Sequence, residues 1–249
     1  MEILGVDIGG SGIKGAPVDV EKGEFAQERL RLATPEGAAP REVARLVAEI
    51  VTHFGWKGPV GVTFPGVVTD GVVRTAVNLG EAWVDLAARD LFAETAGVPV
   101  TLLNDADAAG VAEMTFGVGR GRKGTVLMLT LGTGVGTALF VDGRLVPNTE
   151  LGHIEIRGKD AERRASAHAR EVHEWDWQDW AKRLGEYMHR IEDLLWPSLI
   201  ILGGGVSKKA DRFLPYLKEV RTPVVAAELH NDAGIIGAAM AAVPGKEPV

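Results

Sequence analysis

Apolar residues in this chain fall in short runs broken by glycine turns, with longer stretches of helical spacing between them. Residues 3–8 are an apolar run, Gly9-Gly10-Ser11-Gly12 is a turn, and residues 13–18 resume the run, which predicts a hairpin with a glycine-rich tip. Residues 25–32 are expected to extend it as a third strand. Over 40–54 the apolar positions Val43, Leu46, Val47, Ile50, Val51 and Phe54 follow a helical period, so this segment should pack on the sheet. Residues 60–64 return to strand, and 67–74 hold Asp70-Gly71, a pair favoured in type I′ hairpin turns. A helix is then expected over 85–96, closed by Gly97 and stopped by Pro99.

Residues 100–103 form a brief strand, after which Asn104 and Asp105 stand where helix N-caps stand, ahead of an alanine-rich helix to Phe116. Strand, Gly132-Thr133-Gly134 tip and strand follow over 125–141, and Asp142-Gly143 turns the chain into a third short strand. This repeats the opening pattern, so two related sheets are expected, each offering a backbone-rich loop. One long helix is predicted over 171–195, with Trp175, Trp177, Trp180, Leu184, Tyr187, Ile191 and Leu195 as buried candidates and Pro197 as its stop. Residues 199–202 are a strand leading to Gly203-Gly204-Gly205, with Ser207 as cap of a following helix. A last edge strand at 223–226 and a closing helix at 233–242 complete the pattern, and the tail after Val243 should fray.

At 249 residues, this is enough chain for one large domain or two small ones. Apolar residues at 46% and charged residues at 24% exclude disordered and fibrous classes. The balance of 27 basic against 34 acidic residues, 27 − 34 = −7, argues against a nucleic-acid partner held by bulk charge, so any polyanion must find a local patch. Cysteine is absent, which removes disulfides, thiolate nucleophiles and Cys-based zinc sites. The first residues form a strand rather than a basic leader with an apolar core, and no run approaches a membrane span, so a cytoplasmic protein without a membrane partner is expected.

Three glycine loops can hold an anion. Asp7-Ile8-Gly9-Gly10-Ser11-Gly12 sets a carboxylate at a strand end before residues whose missing Cβ lets N–H groups converge on one phosphate. The segment 130–137 repeats this and adds the Thr133 and Thr137 hydroxyls; Gly203-Gly204-Gly205 precedes a helix start. A tight hairpin or plain strand-to-helix packing accounts for any one of them alone. None is a Walker loop or a dinucleotide-binding fingerprint. Asp105, at the end of an apolar strand, is a candidate general base as well as a candidate cap, and Asn104 can both donate to and accept from hydroxyls. Glu150, His153 and Glu155, with Glu162 further on, can line a polyol; the same spacing suggests a metal, but no third ligand cluster accompanies it.

Together these residues resemble the ROK family of actin-like sugar kinases, its polyphosphate glucokinases most closely, over nearly the whole chain. Asp7-Ile8-Gly9-Gly10-Ser11-Gly12-Ile13-Lys14-Gly15 resembles the first phosphate loop, Leu131-Gly132-Thr133-Gly134-Val135-Gly136 the second, and Leu202-Gly203-Gly204-Gly205-Val206 the nucleotide-side loop. Leu103-Asn104-Asp105-Ala106 resembles the segment with the catalytic aspartate, Glu150-Leu151-Gly152-His153 the sugar-binding motif, and Thr63-Phe64-Pro65-Gly66 the loop that closes over the sugar. The resemblance implies an α/β, actin-like ATPase (ribonuclease H-like) fold, with two lobes of duplicated strand–glycine turn–strand units around a cleft. Residues 1–106 would form the first lobe with the first phosphate loop and sugar-closing loop. Residues 107–232 would form the second, with the second phosphate loop, the sugar-binding motif and the nucleotide-side loop, and 233–249 a helix returning to the first.

It also implies phosphorylation of glucose to glucose 6-phosphate by inorganic polyphosphate or ATP. Asp105 would be the general base, and Asn104, Asp105, Glu150, His153, Glu162 and Gly66 would meet the sugar. Asp7, Gly9, Gly10, Ser11, Gly12, Lys14, Gly132, Thr133, Gly134, Gly204, Gly205 and Lys208 would hold donor phosphate, with Mg²⁺ near Asp7. Most ROK members carry a Cys-rich zinc motif after the Gly-His; polyphosphate glucokinases lack it, as this chain does, so no zinc is expected. A homodimer is implied, with the tryptophan-bearing helix as core or interface. Arg120, Arg122 and Lys123, the group Arg157, Lys159, Arg163 and Arg164, and the pair Lys208-Lys209 suggest a basic track for polyphosphate, or else ordinary solvated charge. The rivals are an ATP-only kinase of another hexose, such as mannose or an N-acetyl sugar, and a sugar-sensing repressor. The repressor is disfavoured because its winged-helix segment would precede the first phosphate loop, which begins here at Asp7.

Overall fold

The computed structural model describes residues 1–77 and 79–245; Asn78 and residues 246–249, the end of the tail expected to fray, lie outside the described residues. The chain forms two compact units, one of Met1–Ala112 with the segment from Asp232 onward, the other Glu113–Asn231.

In the first unit, β1 (Glu2–Gly9) and β2 (Gly12–Asp19) pair antiparallel with Asp7 opposite Lys14 and Gly9 opposite Gly12. The single third strand expected at 25–32 is instead two pieces on β2, β3 (Glu24–Phe25) and β4 (Leu30–Leu32). Residues 26–29 between them are exposed and mostly polar, with no apolar face to hold a strand against the core. Helix α1 (Pro40–His53) opens on a proline, whose missing N–H costs nothing in a first turn, and buries Val43, Val47, Ile50 and Val51. Strand β5 (Val60–Phe64), buried at every position, runs parallel to β1. The hairpin β6 (Val68–Thr69) and β7 (Val72–Val73) turns on Asp70 and Gly71, with φ of 53° and 81°, as a type I′ turn requires. Helix α2 (Ala88–Ala96) is shorter than expected because Asp85 takes a φ of 60°, outside helical space. Strand β8 (Val100–Asn104) lies parallel to β5 and runs straight into α3 (Asp105–Phe116), giving the sheet order β3-β2-β1-β5-β8 with β4 also on β2.

In the second unit, β9 (Thr125–Leu131) and β10 (Val135–Val141) form the second antiparallel hairpin, and β11 (Arg144–Val146) follows across Asp142-Gly143. A small hairpin, β12 (Glu155–Ile156) and β13 (Lys159–Asp160), leads to α4 (Glu162–Ala165) and α5 (Ala167–Val172). The one helix expected over 171–195 is therefore wrong at its start. Asp176 caps α6 (Trp177–Leu195) by accepting from Asp179 N at 2.7 Å, and Glu174, at φ 53°, breaks the path from α5. Trp180, Leu184, Tyr187 and Ile191 are fully buried, whereas Trp175, Trp177 and Leu195 are half-buried. Strand β14 (Leu199–Gly203) is parallel to β9 and β15 (Val224–Ala226) parallel to β14, so the order is β11-β10-β9-β14-β15. After β14 the backbone makes a 3₁₀ segment, Gly205–Arg212, with a kink at Lys209, not the α-helix expected; Ser207 is no cap, since its hydroxyl donates back to Gly204 O at 2.8 Å.

Helix α7 (Ala233–Ala241) then packs on β1 and β5 of the first unit. The approach is so close that a Cβ on Gly5 would sit 2.0 Å from Ile235 O and one on Gly61 would sit 1.7 Å from Ala238 O. Among the described residues no helix is long and apolar enough to cross a membrane.

Candidate active site

The first unit gathers its polar groups at the carboxyl ends of β1, β5 and β8. Asp7 ends an apolar run, and parallel pairing sets it opposite Thr63, a fully buried hydroxyl among apolar residues. Thr63 Oγ1 accepts from Ile8 N at 3.2 Å and donates to Asp7 Oδ1 at 2.9 Å, which fixes the carboxylate. Lys14 Nζ reaches Asp7 Oδ2 at 3.4 Å across the hairpin, so the expected loop carries a carboxylate and an ammonium side by side. Gly234, in the first turn of α7, comes close enough that a Cβ there would lie 3.1 Å from Asp7 Oδ1; the helix's positive end favours that charge.

At the end of β8, the capping role falls to Asn104. Its Oδ1 accepts from Asp107 N at 3.0 Å and its Nδ2 donates to Gly66 O at 3.0 Å, tying the helix start to the loop after β5. An amide has two hydrogens and two lone pairs, so one of each remains for a hydroxyl. Asp105 occupies the first helical position; its Oδ1 accepts from Ala106 N at 2.8 Å. Gly66 is required by packing, since a Cβ there would meet Thr75 O at 2.1 Å.

The second unit assembles Glu150, His153 and Glu162 with a residue the sequence reading missed. His153 Nδ1 hydrogen-bonds Asp160 Oδ2 at 2.7 Å, and its Nε2 faces Glu150 Oε2 at 3.6 Å. Burial opposes the charged imidazole, but the Asp160 hydrogen bond and the nearby Asp160, Glu162 and Glu150 charges outweigh it, so the His153 pKa is raised. Burial raises the Glu150 carboxyl as well, with His153 opposing and Glu162 adding. Asp160 comes into reach because the β12–β13 turn folds it back opposite Glu155, a register no spacing rule announces. Thr63 was quoted only as part of a loop; a lone hydroxyl inside a buried apolar strand was the available signal. Ligand-capable atoms of His153, Asp160 and Glu162 lie within 4.8 Å of one another, supplying the third group absent from the linear motif, but at 2.7 Å the imidazole–carboxylate pair is a hydrogen bond and suits a polyol. Glu155 is exposed on β12.

The loops of this unit converge. Glu162 Oε2 would lie 2.5 Å from a Cβ on Gly134, which puts Glu162 beside the β9–β10 tip. Gly204, at φ 79°, would carry a Cβ 2.5 Å from Leu131 O, so the third loop is pressed against the second. Thr137 Oγ1 bonds Thr149 O and accepts from Leu151 N at 3.1 Å, anchoring the segment that carries Glu150. By contrast, a Cβ on Gly10, Gly132 or Gly205 would meet no heavy atom within 4 Å, and none of the three has a positive φ. Neither packing nor backbone strain demands glycine there, and without a Cβ the neighbouring N–H groups stay open to an anion. Lys208 is exposed, whereas Arg157 and Arg164 of the expected basic track both turn to Glu186, whose single charge offsets part of theirs.

A family model described as the ROK family matches residues 3–167. The chain belongs to the ROK family. Within that family it is 52% identical over 241 residues to the polyphosphate glucokinase of Mycobacterium tuberculosis, a match covering 96% of this chain and 91% of that one. Among solved structures it resembles the inorganic polyphosphate/ATP-glucomannokinase from Arthrobacter sp. strain KM, with a TM-score of 0.93 and 49% identity over 96% of this chain and 97% of that one. It also resembles a ROK family glucokinase from Streptomyces griseus in complex with glucose and AMPPNP, with a TM-score of 0.84 and 25% identity over 98% and 100% of the two chains. The fold of these ROK sugar kinases, and of this chain, is the actin-like ATPase fold.

Proposed function

We propose that this ROK protein transfers a phosphoryl group from inorganic polyphosphate or ATP to the 6-hydroxyl of glucose, with Asp105 as general base. The observation that carries the reading is the polyol-matched set of Glu150, His153 and Asp160, joined through Glu162 to the glycine tip at Gly134. Similarity to the mycobacterial polyphosphate glucokinase and to the Arthrobacter glucomannokinase supports both donors and makes mannose a reasonable second acceptor.

The chemistry asks little covalent help of the protein. Asp105 accepts the proton as the hydroxyl oxygen attacks phosphorus, and the bond to the donor's bridging oxygen breaks. With Nδ1 hydrogen-bonded to Asp160, His153 presents Nε2 to one sugar hydroxyl while Glu150 accepts from another, and Asn104 uses its spare hydrogen and lone pair. The amides of Gly9, Gly10 and Gly12 and of Gly132 and Gly134, with Ser11, Lys14, Thr133, Gly204, Gly205 and Lys208, take up donor charge. Mg²⁺ takes one or two carboxylates and completes its shell with water and phosphate oxygens, and Asp7, a single oriented carboxylate at a strand end, fits that donor set. When bound, the ion would neutralise charge on the donor.

The two sheets would act as lobes, with α7 belonging to the first. A cytoplasmic homodimer suits such a kinase. The deciding assay is formation of glucose 6-phosphate with nucleotide-free polyphosphate as sole donor, repeated with ATP. Product from either donor upholds phosphoryl transfer to glucose, and product from neither overturns it.

A further inference from the structure

Beside the Gly132–Thr133 tip of the second unit lies a pocket of about 260 Å³, closed on its other sides by Gly205 and Lys209 and by Arg170 and Trp177. None of the linear motifs contains Arg170 or Trp177. They reach the pocket because His168 N, at the start of α5, donates to Gly132 O at 3.0 Å, which fastens that helix to the glycine tip, and because α6 begins immediately after its Asp176 cap.

The indole of Trp177 is already engaged. The Arg170 guanidinium sits 4.1 Å from its centre, Phe213 stacks on it at 6.0 Å with planes 18° apart, and Lys209 Nζ lies 6.0 Å away. Arg170 Nη1 also donates to Trp175 O at 3.2 Å, which fixes the guanidinium's direction. A guanidinium has five N–H donors, so most remain for an anion. Glu171 and His168 also line the pocket, and the acid offsets one of the two cations when histidine is neutral.

A nucleoside triphosphate and a linear polyphosphate present the same terminal group but differ further along. One ends in a flat base that gains from an open aromatic face; the other continues as charged phosphoryl units. Here the aromatic face is taken, and two cations are held against it. Building on the function proposed above, we infer that Arg170 and Lys209 grip phosphoryl groups beyond the one transferred and select polyphosphate over ATP, with Trp177 as the positioning residue that holds both cations in place.

The test compares kcat/KM for long-chain polyphosphate and for ATP, with glucose as acceptor, in the wild type, Arg170→Gln/Lys209→Gln, Trp177→Phe and Trp177→Leu, each checked by a circular-dichroism melt. The polyphosphate-to-ATP ratio should fall at least ~10-fold in the double variant, the scale of losing a hydrogen bond to a charged group. Trp177→Leu should lower the ratio in the same direction and Trp177→Phe, which keeps an aromatic face, should restore most of it. A ratio unchanged in the double variant, whether both donors weaken equally or neither does, overturns the inference, as does equal behaviour of the Phe and Leu variants. If the wild type uses neither donor, the functional reading fails separately, and titration calorimetry with polyphosphate then decides the pocket. Weaker binding by the double variant upholds the site, and equal binding overturns it. Should the double variant fail to fold, Arg170→Lys and Lys209→Gln singly give the same ratio.

Discussion

The two sheets share one plan and differ in chemistry. Each has an antiparallel hairpin with a glycine tip followed by two parallel strands, in the orders β2-β1-β5-β8 and β10-β9-β14-β15. In the first, the hairpin carries an Asp7–Lys14 ion pair backed by the buried Thr63, and the last parallel strand delivers Asn104 and Asp105. In the second, the hairpin is anchored by hydroxyls, with Thr137 bonded to the Thr149 segment, and the carboxylates and imidazole arrive on the excursion between β11 and α4. On the function proposed above, the shared plan would supply two phosphate loops, and the division of labour would lie in what each sheet adds: a proton acceptor in one, a polyol reader in the other.

That division is open to attack at its strongest point. Asp105→Asn should slow glucose phosphorylation at least ~10²-fold, the scale of a lost general base, while glucose KM stays within several-fold. Near-normal turnover would remove the proton acceptor from the first sheet. On the other side, Asp160→Asn should raise glucose KM ~10-fold and change kcat less, because His153 loses the partner that fixes its tautomer, an effect of the size found for orienting carboxylates. An unchanged KM would make the second sheet a donor site alone.

A smaller effect sharpens the comparison of the tips. Gly132→Ala meets no protein atom within 4 Å, so its melting temperature should match the wild type while donor KM rises a few-fold. Gly61→Ala, whose methyl would sit 1.7 Å from Ala238 O, should instead lower the melting temperature, an overpacking cost of about 1–3 kcal/mol or more. The smallest predicted effect is on pH dependence. The His153 pKa is raised in the fold above its ordinary 6.5, so its contribution to stability is fully present below that value and is lost as pH rises through the folded one. The stability gap between wild type and Asp160→Asn should therefore be wider in denaturant melts at pH 5.5 than at pH 8.5; a gap that widens with rising pH would reverse the assignment.

Period and turn chemistry made most of the fold legible. The hairpins over 3–18 and 125–141, the Asp-Gly turns and α1 follow from alternation, helical spacing and glycine placement that act within a few residues. Errors arose where a break had no local marker. Glu174 at positive φ divides the predicted long helix, Ser207 bonds backward instead of capping, and residues 26–29 interrupt a strand whose ends look continuous. For the candidate site, the motif residues could be read but their partners could not. Thr63 lies 56 positions from Asp7, and the Asp160 contact depends on a small hairpin register. Arg170 and Trp177 carry no motif at all and become visible only once α5 is fastened to Gly132.

The second unit is one unbroken stretch, Glu113–Asn231, while the first is split around it and is completed by α7. On the ribosome the order of completion therefore inverts the order of synthesis. The later-made stretch has all its strands once Ala226 emerges, but the earlier-made sheet waits for Ile235 and Ala238 to cover Gly5 and Gly61. Until then the face of β1 and β5 that α7 covers stands open to water, so the oldest strands carry exposed apolar surface for longest.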